Sequence, residues 1–436
     1  MMTSLGTTTV KADVVVIGAG PAGMAAAACA AESNRRVALL DENPEVGGQI
    51  WRHSTHGVTE PVAREWRARL TASGATMVRG ASVVDVRGGD REFEVTAERK
   101  GVPLLVHAHA VVIATGARER FLPFPGWTMP GVIGVGAAQA LLKAGTSFAA
   151  KRVVIAGSGP LLLPVAASLR ASGALVLLVA EQAAPRAVAG FAIGLLKRPA
   201  TLLQAGRYRA AFRGTPYHLG EWVAAARGDG RVEEVDITNG SSTRTIACDV
   251  LCAAFGLVPN TELAQLLGCT LCAGAVAVDE RQQTSRANVF CAGEPTGIGG
   301  VDLALVEGEI AGRCGAGRDA HALVVRRNRL RATADAMERA FAPRAELRAL
   351  ATPDTIVCRC EDVQYGAIDR TWTMRQAKLY TRAGMGPCQG RVCGAALEFL
   401  YGWPADVVRL PAEPALFSTL IAESATISPS VNQGAR

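Results

Sequence analysis

Apolar and polar positions along this chain fall into blocks that predict two strand–turn–helix–strand units. The first, KADVVVIGAGPAGMAAAACAAE, opens on an unbroken apolar run, Val14 to Ile17, as a parallel strand buried on both faces requires. An Ala-rich helical stretch follows, and then a second strand, RRVALLDE, that ends in Asp41 and Glu42. The second unit, KRVVIAGSGPLLLPVAASLRASGALVLLVAEQ, repeats the plan further along and ends its second strand at Glu181. Two more apolar strands lie in AVVIATGARE and NVFCAGEPTGIGGVDLALVEGEIAG. They stop at Thr115–Gly116 and just before Gly293–Glu294, and a helix follows the second.

Past residue 320 the pattern changes. VVRRNRLRATADAMERAFAPRAELRAL interleaves Arg with Glu and Asp, which predicts a solvated linker helix, with a basic docking face as the other reading. GMGPCQGRVCGAALEFLYG starts with glycines and Pro387 and then reads as a helix. The predicted architecture is α/β, with two dinucleotide-binding folds and a small helical C-terminal domain. Residues 1–120 and 240–320 form the first fold and 121–239 an insertion carrying the second. A linker helix at 321–349, a small domain at 350–405 and a polar tail at 406–436, loosely held or bound to a partner, complete the chain.

Composition narrows the function classes. A chain of 436 residues with 49% hydrophobic and 19% charged residues suits two or three well-buried domains. The net charge of +7 comes without a basic-and-aromatic strand motif, which excludes nucleic acid as a partner. The longest apolar run, VVIAGSGPLLLPVAASL, holds two Gly and two Pro and predicts no membrane span. The polar start runs straight into a fold motif and predicts no signal peptide. Eleven cysteines in that setting predict a reducing, cytoplasmic location and metal or redox chemistry for paired thiols.

The first glycine turn specifies its own chemistry. Gly18, Gly20 and Gly23, with Pro21 and Ala22 between them, form G-x-G-x-x-G between strand and helix. The first glycine allows the turn, the second admits a pyrophosphate and the third lets helix and strand touch. The helix start adds free N–H groups and the positive end of its dipole. Asp41 or Glu42 then serves as the ribose acceptor, with Asp41 favoured because it directly follows the apolar strand.

Three pieces extend this turn: Gly47, Gly48 and Gln49 in NPEVGGQIW, Thr115–Gly116, and Gly293–Glu294. Together they resemble the glutathione-reductase-like flavoprotein family over residues 13–313. That resemblance implies FAD, with the glycine pair beside the flavin. It also implies a ribityl contact from Glu294, which stands here where the family usually has Asp. GGQIWRHST holds no Cys, so the disulfide-reductase chemistry of the family is not expected. Arg52, His53 and His56 read as a polar surface loop rather than as catalytic groups.

The second turn departs from its motif. Gly157 and Gly159 are present, but Leu162 stands where the third glycine belongs, with Pro164 close behind. Leu there forces helix and strand apart unless the packing is rebuilt. Glu181 remains as a ribose acceptor. Three readings stay open: a working NADH site, a site for an adenine nucleotide (ATP or NAD) without hydride chemistry, or a fold kept as scaffold.

Four cysteines form two corners, Cys358 with Cys360 and Cys388 with Cys393, separated by 27 residues. Thiolate sets of this kind hold iron–sulfur clusters or zinc, with unligated thiols as the remaining reading. The tight C-x-C corner favours ligands on adjacent irons, and the spacing resembles the bacterioferritin-associated-ferredoxin-like [2Fe–2S] domain. Cys29, Cys248, Cys252, Cys291 and Cys314 show no ligand spacing, and the C-x2-C of Cys269 and Cys272 has no second pair nearby and reads as strand-side packing.

The whole set of motifs resembles the A-type (alpha) subunit of heteromeric opine oxidases and of D-hydroxyproline and related amino-acid dehydrogenases. The B subunit of hydrogen cyanide synthase is similar. The resemblance implies an electron-transfer subunit with FAD and a [2Fe–2S] cluster. Its partners would be a flavoprotein beta subunit of amino-acid-oxidase type that oxidises a C–N bond, a downstream acceptor such as a quinone, and a small third subunit. Peripheral contact with the inner membrane would come through those partners. The competing expectation is a self-contained NADH-dependent flavin and iron–sulfur reductase.

Overall fold

In a computed structural model of the chain, residues 7–51, 60–90, 92–404 and 408–422 are described. Arg52, His53 and His56 lie outside them. The strand Val14–Ile17 sits at the centre of a five-stranded parallel sheet. It pairs with Val37–Asp41 on one side and Ala110–Ile113 on the other. Val289–Cys291 and Thr76–Arg79 form the edges.

Every residue of the three central strands is buried because both faces are covered. The helices Pro21–Glu32 and Val301–Gly315 lie on one face, so close together that Gly308 and Gly312 press on the carbonyls of Ala22 and Ala26. The other face packs on a second sheet of antiparallel strands, Ala81–Gly88, Phe93–Arg99 and Val102–Ala108.

The second nucleotide fold is another five-stranded parallel sheet, with Arg152–Ser158 in the middle. It pairs with Leu175–Glu181 and with Val250–Phe255. The chain therefore returns to the first fold only after Phe255, later than the boundary at 240 expected from the sequence. Two short antiparallel strands, Ala117–Glu119 and Leu257–Pro259, carry the outward and return crossings side by side.

Helix His321–Ala340 spans the two folds and leads through Leu347, fully buried in the core of the second, into the C-terminal domain. That domain has its own core, built from Val357, Cys358, Ala377, Cys393, Leu397 and Trp403. Residues 408–422 lie on the antiparallel sheet: Ala412 N donates to Val84 O at 2.7 Å, and Leu416 N and Thr419 Oγ1 both donate to Glu98 at 2.8 Å. No helix among the described residues is long and apolar enough to cross a membrane.

Candidate cofactor sites

The first glycine turn feeds directly into its helix. Gly20 is the N-cap in extended backbone, and Pro21 takes the first helical position, where its missing N–H costs nothing. A Cβ on Gly23 would fall 1.7 Å from the Gly18 carbonyl oxygen, so only hydrogen fits. Gly48 packs on the turn, where a Cβ would stand 2.9 Å from Gly20 Cα. Gly47 N donates to Ala19 O at 2.7 Å, which holds the GGQ stretch against the turn with Gln49 exposed.

The acidic pair at the strand end divides its work. Asp41 is buried, and its Oδ2 accepts Ala19 N–H at 2.5 Å. Its Oδ1 takes the backbone and side-chain N–H of Asn43 at 2.7 and 2.9 Å. Asp41, favoured for the ribose from sequence, is thus engaged inside the turn, and Glu42 presents the exposed carboxylate.

Thr115 and Gly116 are bound to the returning chain. Thr115 Oγ1 donates to Asn260 O at 2.8 Å, Asn260 Nδ2 donates to Thr115 O at 2.9 Å, and Asn260 N donates to Gly116 O at 3.0 Å. Glu294 accepts the N–H groups of Gly299 and Gly300 at 2.9 and 3.0 Å, and burial raises its carboxyl.

Behind Gly293 lies a group that no local motif announced. Glu307, fully buried, accepts Gly293 N–H at 3.0 Å, Thr296 Oγ1 at 2.9 Å and Arg331 at 2.6 Å. Arg331 also donates to Thr296 Oγ1 and to Gly297 O. One charged residue of the interleaved helix therefore grips the last motif of the first fold.

In the second fold the helix starts later. Leu162 is its first residue, three beyond Gly159, whereas Pro21 directly follows Gly20. Leu162 N and Leu163 N donate back to Gly159 O and Pro160 O, which removes two donors from a phosphate cradle. The packing is rebuilt around Leu162, fully buried among Val135, Phe148, Val165 and Phe212. Glu181 is fully buried too. Its oxygens accept Gly159 N and Ala183 N, each at 2.8 Å, and burial lifts its carboxyl to about 7.

Folding gathers the four cysteines Cys358, Cys360, Cys388 and Cys393 close enough for their thiols to shift one another's titration. The neighbouring Cys393 side chain, helped by backbone N–H groups of Gly384, Glu361 and Cys360, lowers the Cys358 thiol to about 6. Gly384 N lies 3.4 Å from Cys358 Sγ. Among the described residues no three such side chains are arranged to close on one metal ion. The loop between Cys388 and Cys393 is docked on the first fold: Arg118, on the outward crossing strand, donates to Arg391 O at 3.0 Å. Arg118 also bonds Asn260 Oδ1 at 2.7 Å and Glu262 at 2.8 Å.

The family described as pyridine nucleotide-disulphide oxidoreductase matches residues 12–308. The A-type subunit of opine oxidase from Agrobacterium tumefaciens (strain Ach5) is 33% identical, covering 94% of this chain and 91% of that protein. The chain belongs to this flavoprotein family.

As a member of the family it is a FAD-dependent oxidoreductase. Hydrogen cyanide synthase subunit HcnB of Pseudomonas aeruginosa is 31% identical over 87% of the chain and 90% of its own length. Among solved structures, L-proline dehydrogenase from P. horikoshii superposes with a TM-score of 0.70 at 22% identity, covering 95% of this chain and 80% of that one. That likeness is one of fold. The first turn of this family member fits a dinucleotide, since its narrow glycine turn meets a helix start and an exposed carboxylate.

Proposed function

We propose that this chain is the electron-transfer subunit, carrying FAD and a [2Fe–2S] cluster, of a heteromeric dehydrogenase or oxidase that oxidises the C–N bond of an opine, D-hydroxyproline or related amino acid. A flavoprotein beta subunit of amino-acid-oxidase type would hold the substrate, with a quinone-like acceptor and a small third subunit completing the assembly. The cytoplasm is the expected setting. The reading is supported by the full-length relatives, which are subunits by name. The observation that carries it is the docking of the Cys388–Cys393 loop on the crossing strand of the first fold through Arg118.

In this assignment the turn of Gly18, Gly20, Pro21, Ala22 and Gly23 holds the diphosphate. Glu42 takes the ribose hydroxyls, because Asp41 is committed to the turn. Gly48, Gln49, Thr115, Gly116, Gly293 and Glu294 border the flavin end. Cys358, Cys360, Cys388 and Cys393 would hold the cluster through their thiolates. When bound, these groups supply the conversion of a two-electron hydride into single electrons. The chain's own contribution is spacing: Arg118, Asn260 and Arg391 fix the cysteine loop against the crossing strands.

The test uses the tagged chain expressed in its native host and purified anaerobically with its partners. Flavin and iron–sulfur bands that bleach on adding an opine or amino acid are expected, with NADH leaving them unchanged. Bleaching of the isolated chain by NADH at catalytic speed would sink the reading and establish a self-contained reductase. Absence of iron from the purified protein would remove the cluster.

A further inference from the structure

The second glycine turn is covered by the chain's own backbone. In the first fold the buried Asp41 serves the turn and the next residue, Glu42, faces outward. The second fold repeats this arrangement with Glu181 serving the turn and Gln182 following it. Yet Gln182 is fully buried, and so is Ser158 within the turn at 4% exposure.

What buries them is the segment leaving helix His321–Ala340. Ser158 Oγ donates to Phe341 O at 2.5 Å. Gln182 Nε2 donates to Ser158 Oγ at 2.9 Å, to Ala342 O at 3.1 Å and to Phe341 O at 3.3 Å. Its Oε1 accepts Arg344 N–H at 3.1 Å, so the whole amide is spent on this segment and the turn. Ring contacts hold both ends: Phe341 meets Phe191 edge-on at 5.7 Å, and the Arg344 guanidinium lies 4.8 Å above Trp222.

We propose that the second dinucleotide fold is an internal docking site, which seats residues 341–344 where a nucleotide's ribose would lie and so admits neither NAD(H) nor ATP. A ribose needs a polar side chain at the strand end with free capacity, and Gln182 has none left. Release of the segment is opposed from both sides. Upstream, Arg331 of the same helix is bonded to Glu307, Thr296 and Gly297 of the first fold. Downstream, Leu347 is fully buried in the core that also takes in Val392 and Phe399 of the C-terminal domain. The fold thereby sets the path of the chain from the first nucleotide site to the cysteine loop.

Hydrogen exchange read by mass spectrometry on the full FAD-loaded chain tests this, with and without millimolar NADH or ATP. Peptides spanning 153–162 and 341–347 should exchange identically in all three conditions. In Gln182→Ala the Arg344 amide, freed of its acceptor, should exchange on the order of tenfold faster. Protection of 153–162 by either nucleotide in the wild type would overturn the proposal, as would an unchanged Arg344 amide in the variant. Nucleotide protection without flavin bleaching would refute the internal dock and leave the electron-transfer reading standing. Absence of iron would do the reverse.

Discussion

Arg118 donates to the main-chain carbonyl of Arg391 at 3.0 Å, and through that bond the first nucleotide fold holds the loop between Cys388 and Cys393. The same guanidinium reaches Asn260 and Glu262, just past the return strand, so one side chain joins both sides of the crossing to the C-terminal domain. Arg118→Ala should cost about 2 kcal/mol, the scale of hydrogen bonds made by a charged donor. Urea unfolding measures the loss. Hydrogen exchange should show the 386–393 loop opening while the FAD content stays constant. A variant with unaltered exchange there would show that the loop is held by other contacts.

Glu307 and Arg331 make a second tie, between the glycine loop of the first fold and the long helix. The carboxylate is fully buried and its partner nearly so. Glu307→Ala leaves Arg331 without its counter-charge and Gly293 N–H without an acceptor. The expected destabilisation is roughly 3–5 kcal/mol, read as a lower unfolding midpoint in urea. FAD should also dissociate more readily, since the Gly293–Gly297 loop loses its anchor.

Burial lifts the Glu181 carboxyl from 4.5 to about 7. An acid raised in the folded state holds its proton longer there than in the unfolded chain. Its contribution to stability is therefore greatest at acid pH and is lost as pH rises from about 4.5 through about 7. Glu181→Gln removes this titration. The unfolding free energy of the wild type minus that of the variant should fall across that interval, by a few kcal/mol at most, and level off above it. A difference independent of pH would mean that Glu181 is ionised throughout.

The two glycine turns should respond in opposite ways to the same kind of change. Gly23→Ala drives a methyl group into the Gly18 carbonyl, and loss of FAD with more than about 3 kcal/mol of stability is expected. Leu162→Gly restores the motif on paper but empties a packed site. It should cost about 2–5 kcal/mol, with no gain in affinity for NADH by isothermal titration. Recovery of NADH binding would show that Leu162 alone closes the fold.

Both nucleotide folds were legible in the sequence because each rests on local rules. A buried parallel strand needs a continuous apolar run, and a strand-to-helix turn needs glycine where the backbone crowds. Val14–Ile17 with Gly18 and Gly23 satisfy both. The two cysteine corners were legible for the same reason, since their spacing is a property of short loops. Leu162 flagged the second fold as altered.

What the sequence left undecided were choices between neighbours and contacts between distant segments. Asp41 and Glu42 are adjacent acids, and only the path of the turn decides which one bonds Ala19 N and which one faces outward. Gln182 carries no motif, and its role comes from residues about 160 positions away. Arg331 lies in the stretch that reads as a solvated linker helix, and Glu307 and Arg118 stand in no motif of their own. They act because folding brings a carboxylate, a loop and a helix within hydrogen-bond reach. Sequence alone determined the two strand–turn–helix units and the spacing of the cysteine corners, because turns and strands obey local sterics. Only the tertiary structure decided that the second fold is filled by its own chain and that the cysteine loop rests on the first, because long-range hydrogen bonds leave no periodic trace.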